Sequence, residues 1–189
     1  MRKFDYTFLK KISVPADIMN SATSIYEMKA KAELRRTDFA DVFSAMESVA
    51  KIQSVKSSNA IEGIITTDKR IRDIVNKSTV PQGHNELEIA GYRDALDLIH
   101  SSYSDIPFSE KSILELHRML LQPSGDDLAG KYKTEDNFIM ETDRRGVRSV
   151  RFTPVPASET SAAMEQLILA YHATYSESEI NPLLLIPCV

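Results

Sequence analysis

The sequence predicts a mainly helical fold carrying one small β-hairpin. Only 6 Gly and 8 Pro interrupt its 189 residues, and long stretches repeat apolar residues at spacings of three and four. After Gly125 the texture changes, and two short extended segments flank a polar loop.

Taken in order, Ile18, Ala22, Ile25 and Ala32 predict a first helix ending near Thr37. A second follows, because Phe39, Val42, Phe43, Met46, Val49 and Ala50 recur at i, i+3, i+4, i+7, i+10 and i+11 and so share one helical stripe reaching toward Asn59. Gly63 is the predicted stop. A shorter helix is expected over Asp68 to Asn76, then a loop from Ser78 to Gly83 containing Pro81. Asn85 with Glu88 three residues on reads as a capping box, ahead of a stripe of Ile89, Tyr92, Leu96, Ile99 and Tyr103. Ser109 can cap a further helix through Leu121, which Pro123 to Asp126 ends. Asn137 to Glu141 and Val147 to Phe152 are the hairpin strands, and Ser158 opens a helix with Met164, Leu167, Ile168, Tyr171 and Tyr175 on one stripe. Asn181 and Pro182 open one more. That last run, through Val189, is almost wholly apolar, so the polypeptide is expected to continue, and exposed Leu183, Leu184, Leu185 and Ile186 predict self-association.

Composition narrows the function classes. Hydrophobic residues at 42% and charged residues at 26% match ordinary globular chains, which excludes disordered and membrane classes. The net charge of -4 gives no overall case for nucleic acid or an anionic membrane. A single cysteine, Cys188, rules out an internal disulfide and fits a reducing compartment, and the start of the chain has no apolar leader, so a cytoplasmic location is expected.

Familiar catalytic patterns are missing from the sequence. There is no GxxxxGK[ST], GxGxxG or HExxH, and His84, His100, His117 and His172 lack metal-ligand spacing, so they read as structural or surface residues. Two segments stand out instead. Arg144, Arg145, Arg148 and Arg151 put four guanidinium groups within eight residues, either as a contact edge for a phosphate, a nucleic-acid backbone or an acidic partner strand or as a solvated hairpin protected from edge pairing. In Ser57 to Gly63, Ser58 and Glu62 lie four apart on one helical face, and a carboxylate placed where the helix dipole disfavours it suggests a cation elsewhere in the fold. A frayed helix end explains the same residues, so both readings stand.

Together these segments resemble the N-terminal two-thirds of a Fic-domain protein, from the Fic/DOC class of AMP-transferring enzymes, in the subgroup with its inhibitory helix upstream of the core. Ser58-Asn59-Ala60-Ile61-Glu62-Gly63 is similar to the family's (S/T)xxxE(G/N) inhibitory motif. Ala129 to Lys133 and Asn137 to Ile139 resemble the lead into its flap hairpin, with Lys133 where Arg is usual, and Phe152 to Pro156 resembles the segment that follows the flap. The family's HPFxDGNGR motif is not in this sequence, and with it go the catalytic His, the phosphate-cradling loop and the Arg that holds the γ-phosphate.

The resemblance implies a Fic-like helical bundle with a flap, lacking the C-terminal part of the core: residues 1–50 form an N-terminal helical extension, 51–76 the inhibitory helix region, and 77–189 the N-terminal portion of the core, with the flap near 137–152. It implies an inhibitory role for Ser58, Glu62 and Gly63, in which Glu62 occupies the family's Arg and Ser58 holds Glu62 in place. It implies a target-binding role for Phe138, Ile139, Met140, Val150, Arg151 and Phe152. The parent would transfer AMP from ATP with Mg²⁺ to a Ser, Thr or Tyr hydroxyl of a protein target, while this chain, without the motif, is expected to be inactive and to bind neither cofactor. The pattern leaves room for a homo-oligomer and speaks against membrane or nucleic-acid partners. The alternative is a non-enzymatic helical interaction module acting through the inhibitory helix and the Arg-rich hairpin.

Overall fold

The computed structural model describes residues 4–177 and 179–189; Met1 to Lys3, part of the stretch read for a leader, lie outside the described residues. It is mainly helical, with a two-stranded antiparallel sheet. The described residues divide into two compact units, one of residues 12–106 and 119–129, the other of 4–11, 107–118, 130–177 and 179–189.

In the first unit, helices α1 (Ala16–Arg35), α2 (Ala40–Ile61), α3 (Asp68–Val75) and α4 (Gly83–Ser102) follow one another. Thr67 starts α3 by accepting the amide of Arg70 at 3.2 Å. The buried side chains Val55 of α2, Ile71, Ile74 and Val75 of α3, and Ile89 and Ala90 of α4 form one cluster. α3 and α4 turn their three-and-four-spaced apolar residues inward, Ile71, Ile74 and Val75 from the one and Ile89, Tyr92 and Leu96 from the other. Lys56 of α2 adds an ion pair to Asp68 of α3 at 2.7 Å.

Two sequence expectations change here. The anticipated capping box of Asn85 and Glu88 does not form, because α4 starts earlier, at Gly83. The carboxylate of Glu86 accepts the amide of Gln82 at 2.7 Å, and Gly83 takes a φ of +69° at the chain's turn into the helix. The second change concerns the stripe on α2. That stripe is not the buried face: Phe39, Val42, Met46 and Val49 are 54%, 55%, 64% and 55% exposed, Ala50 is exposed and Phe43 half-buried, while the buried residues of α2, Val55 and Asn59, lie on the opposite side of the helix; α1 buries no residue at all. Most helix stability in proteins comes from packing an apolar face, and α1 packs none here. Concentration-dependent self-association through this face is therefore expected in sedimentation velocity. Val42→Lys combined with Met46→Lys should weaken it about tenfold or more. Unchanged association in that variant would place the contact elsewhere.

The second unit begins with a 3-10 turn, Thr7–Lys11, and contains most of α5 (Glu110–Leu121), the strands β1 (Ile139–Thr142) and β2 (Arg148–Phe152), α6 (Thr160–Ser176) and α7 (Pro182–Leu185). Ser109 Oγ accepts the Ser112 amide at 3.2 Å, so the predicted cap of α5 is present. Ahead of α6, a 3-10 turn over Ala157–Glu159 delays the helix two residues beyond Ser158. The Ala157 amide there is held by Asp136 Oδ1 at 2.7 Å. Asn181 Oδ1 caps α7 through the Leu183 amide at 2.9 Å.

The expected exposure of the last leucines is corrected. Leu185 is fully buried in a cluster with Tyr6, Leu9 and Ile180, Leu183 and Leu184 are half-buried, and only Ile186 is exposed. Asn181 and Pro182 set the direction of the short helix, and burial of Leu185 follows from it.

Candidate functional site

The last turn of α2 ends in a way its residues dictate. Asn59, buried, donates from Nδ2 to the Val55 carbonyl at 2.8 Å, and its own carbonyl accepts the amides of Glu62 at 3.1 Å and Ile64 at 2.9 Å. Gly63 donates to the Ala60 carbonyl at 3.1 Å in a left-handed conformation, φ +77°. This closes the helix and turns the chain away. Nothing would crowd a side chain at Gly63, so the need for glycine there is conformational.

This turn forms one wall of an open groove of about 630 Å³. Ser58, Asn59, Ile61 and Glu62 come from α2, Glu88 and Tyr92 from α4, and Leu120 and Leu121 from the end of α5. Tyr92 donates its hydroxyl proton to Ser58 Oγ at 2.9 Å, fixing α2 to α4 beside the groove. The resemblance implies that Ser58 holds Glu62; the hydrogen bond formed by Ser58 Oγ is to Tyr92 of α4. Glu62 is the exposed cap residue of α2, at the negative end of the helix dipole, and among the described residues it is in no ion pair. Glu88 pairs with His84 at 2.9 Å.

Two carboxylates over an apolar floor, with no basic side chain in the lining, make a site suited to a cation and unsuited to a nucleotide phosphate. The guanidinium of an arginine, planar and with five donors, fits such a site best. Among the described residues no group of three or more His, Cys, Asp or Glu could hold a metal ion. With no basic side chain in its lining, the groove offers nothing to pair with a nucleotide phosphate.

The hairpin residues gather in the other unit. β1 and β2 pair antiparallel, with Ile139 opposite Phe152, Met140 opposite Val150, Glu141 opposite Ser149 and Thr142 opposite Arg148. Asp143 Oδ1 accepts the amides of Arg145 at 2.8 Å and Val147 at 2.9 Å, and Gly146 turns the loop at φ +82°. Every residue of both strands is exposed, and so is Phe138 just before them. Nearby, Tyr132 donates to Glu110 at 2.9 Å, and burial with that neighbouring carboxylate pushes its phenol up to about 12.

Thus Ser58 and Glu62 meet at one groove, with Gly63 setting the turn, while Phe138, Ile139, Met140, Val150, Arg151 and Phe152 meet on one hairpin. Sequence spacing missed the other half of the groove. Tyr92 reads as one more apolar position of the α4 stripe and Glu88 as a capping residue; a hydroxyl-bearing ring on a buried stripe is the signal that a polar partner lies opposite. No helix among the described residues is long and apolar enough to cross a membrane. Compared with protein-family models and with curated proteins, the chain matches none.

Proposed function

We propose that this chain carries the inhibitory helix and the target-registering flap of an auto-inhibited, Fic-type protein adenylyltransferase. The observation that supports it best is Glu62, an uncompensated carboxylate held by a helix terminus at the rim of a groove suited to a guanidinium. In this reading Glu62 takes the arginine that would otherwise bind the γ-phosphate of ATP, because two anions compete for one guanidinium. The exposed hairpin registers an extended segment of the target by strand addition, so that its Ser, Thr or Tyr hydroxyl is presented for AMP transfer. The catalytic motif is not among these 189 residues, so transfer is proposed for a polypeptide that joins them to HPFxDGNGR.

The test is AMP transfer from labelled ATP by such a joined polypeptide. Glu62→Gly is expected to raise the rate about tenfold or more, the worth of one charge-assisted contact. An unchanged rate would refute the inhibitory role. For the chain alone, calorimetric titration with ATP and Mg²⁺ should give no heat. The second reading, a helical interaction module without nucleotide chemistry, is favoured by the uncovered faces of α1 and α2. It predicts no AMP transfer even from the joined polypeptide.

A further inference from the structure

The hairpin carries charge that the rest of its surroundings does not answer. Arg144, Arg145, Arg148 and Arg151 are all exposed, and among the described residues none of their guanidinium groups has an ion pair or hydrogen bond. Elsewhere Arg70, Arg93 and Arg118 each hold a carboxylate, of Glu86, Asp94 and Glu115. The hairpin's own acids are engaged locally: Asp143 by the amides of its loop and Glu141 by Ser149 at 3.4 Å. Residues 139–152 therefore hold four arginines against two acids inside a chain of net charge -4.

The backbone points to a strand as the missing partner. A two-stranded sheet alone is marginal in water and leaves unpaired amides and carbonyls along its outer edges. Ile139, Met140, Val150 and Phe152 are each about half exposed, at 50%, 51%, 52% and 50%. The register skips between Ile139 and Met140, so Arg151 faces no residue of β1, a position from which a side chain is re-aimed off the ladder. An added strand would pair the edge, cover the apolar side chains and bring its own side chains beside the arginines.

We infer that the hairpin selects an extended peptide segment bearing Asp or Glu, bound as a third strand with its carboxylates on the guanidinium groups of Arg148 and Arg151. This deepens the flap reading above and rests on it for the peptide's fate. A nucleic-acid strand offers the same anionic charge but cannot complete the ladder of backbone hydrogen bonds, so peptide is the occupant the edge favours.

The experiment is fluorescence anisotropy with a labelled peptide of about ten residues, alternating valine and glutamate around a central threonine. A glutamine-for-glutamate version and an oligothymidine of similar length serve as comparisons. The acidic peptide is expected to bind about tenfold or more tighter than its amide version, and to lose that margin as salt rises from about 0.05 to about 0.5 M. Arg148→Gln with Arg151→Gln should abolish the margin and leave the weak binding of the amide peptide intact. Equal binding of the two peptides, a margin indifferent to salt in the unmutated chain, or oligothymidine binding as tightly as the acidic peptide would each overturn the inference. If the acidic margin holds but a polypeptide joined to HPFxDGNGR leaves the threonine unmodified, the adenylyltransferase reading fails and the peptide selectivity stands. If that polypeptide modifies both peptides equally well, the selectivity fails and the reading stands.

Discussion

Replacing Arg70 by methionine is expected to destabilise the chain, read as a lowered urea midpoint with an unchanged slope. Arg70 binds both carboxylate oxygens of Glu86, which is only 8% exposed, and also donates to Thr79 Oγ1 at 2.7 Å and the Val80 carbonyl at 3.0 Å. Without it, a buried carboxylate loses its counter-charge and the loop between α3 and α4 loses its tether. Methionine fills similar volume, so the effect reports lost pairing rather than a cavity. The variant also tests a pH dependence. Arg70 and the Gln82 amide hold the Glu86 carboxyl down at about 2, against the ordinary 4.5. A depressed carboxylate contributes stability that is complete above about 4.5 and is lost as pH falls toward about 2, because only the unfolded chain takes up the proton across that window. The difference between wild type and Arg70→Met should therefore be largest near neutral pH and shrink through that window. A constant difference down to acid pH would mean that the ion pair is not its source.

This pair also marks the boundary of what the sequence reveals. Helices are legible because their apolar spacing is local: α2, α3, α4 and α5 lie where periodicity puts them, within three residues at each end. The hairpin is legible because its loop residues demand a turn. Arg70 and Glu86 are not, since they stand 16 residues apart across a loop and nothing periodic joins them. The same limit applies to burial. Phe39, Val42, Met46 and Val49 form a clean stripe, yet a stripe says which residues share a face and not whether another element covers it. At the groove, Ser58, Glu62 and Gly63 are visible as a short local motif, whereas Tyr92 and Leu120 arrive from distant turns.

Gly91→Ala is expected to be destabilising by about 2 to 3 kcal/mol, and here the sign alone decides. Gly91 lies inside α4 with an ordinary negative φ, a setting where alanine normally stabilises a helix by roughly 1 kcal/mol. A Cβ built at Gly91 would come within 2.3 Å of the Leu120 carbonyl oxygen, 2.8 Å of the Met119 carbonyl oxygen and 2.9 Å of the Leu120 carbonyl carbon. All three are backbone atoms, so no side-chain rotation relieves the clash; the end of α5 must move away from α4. Leu120 and Leu121, carried by that backbone, wall the groove opposite Glu62, and Tyr92 is the neighbour of Gly91. The substitution therefore reaches the candidate site as well as the fold. If the joined polypeptide is auto-inhibited through this groove, Gly91→Ala should raise its basal AMP transfer at temperatures where it is still folded, by loosening the surroundings of Glu62 without removing the carboxylate. A thermal melt that rises with alanine would show that α4 and the end of α5 do not approach so closely. A melt that falls with no change in transfer would leave the packing argument intact and remove this groove from the control of activity.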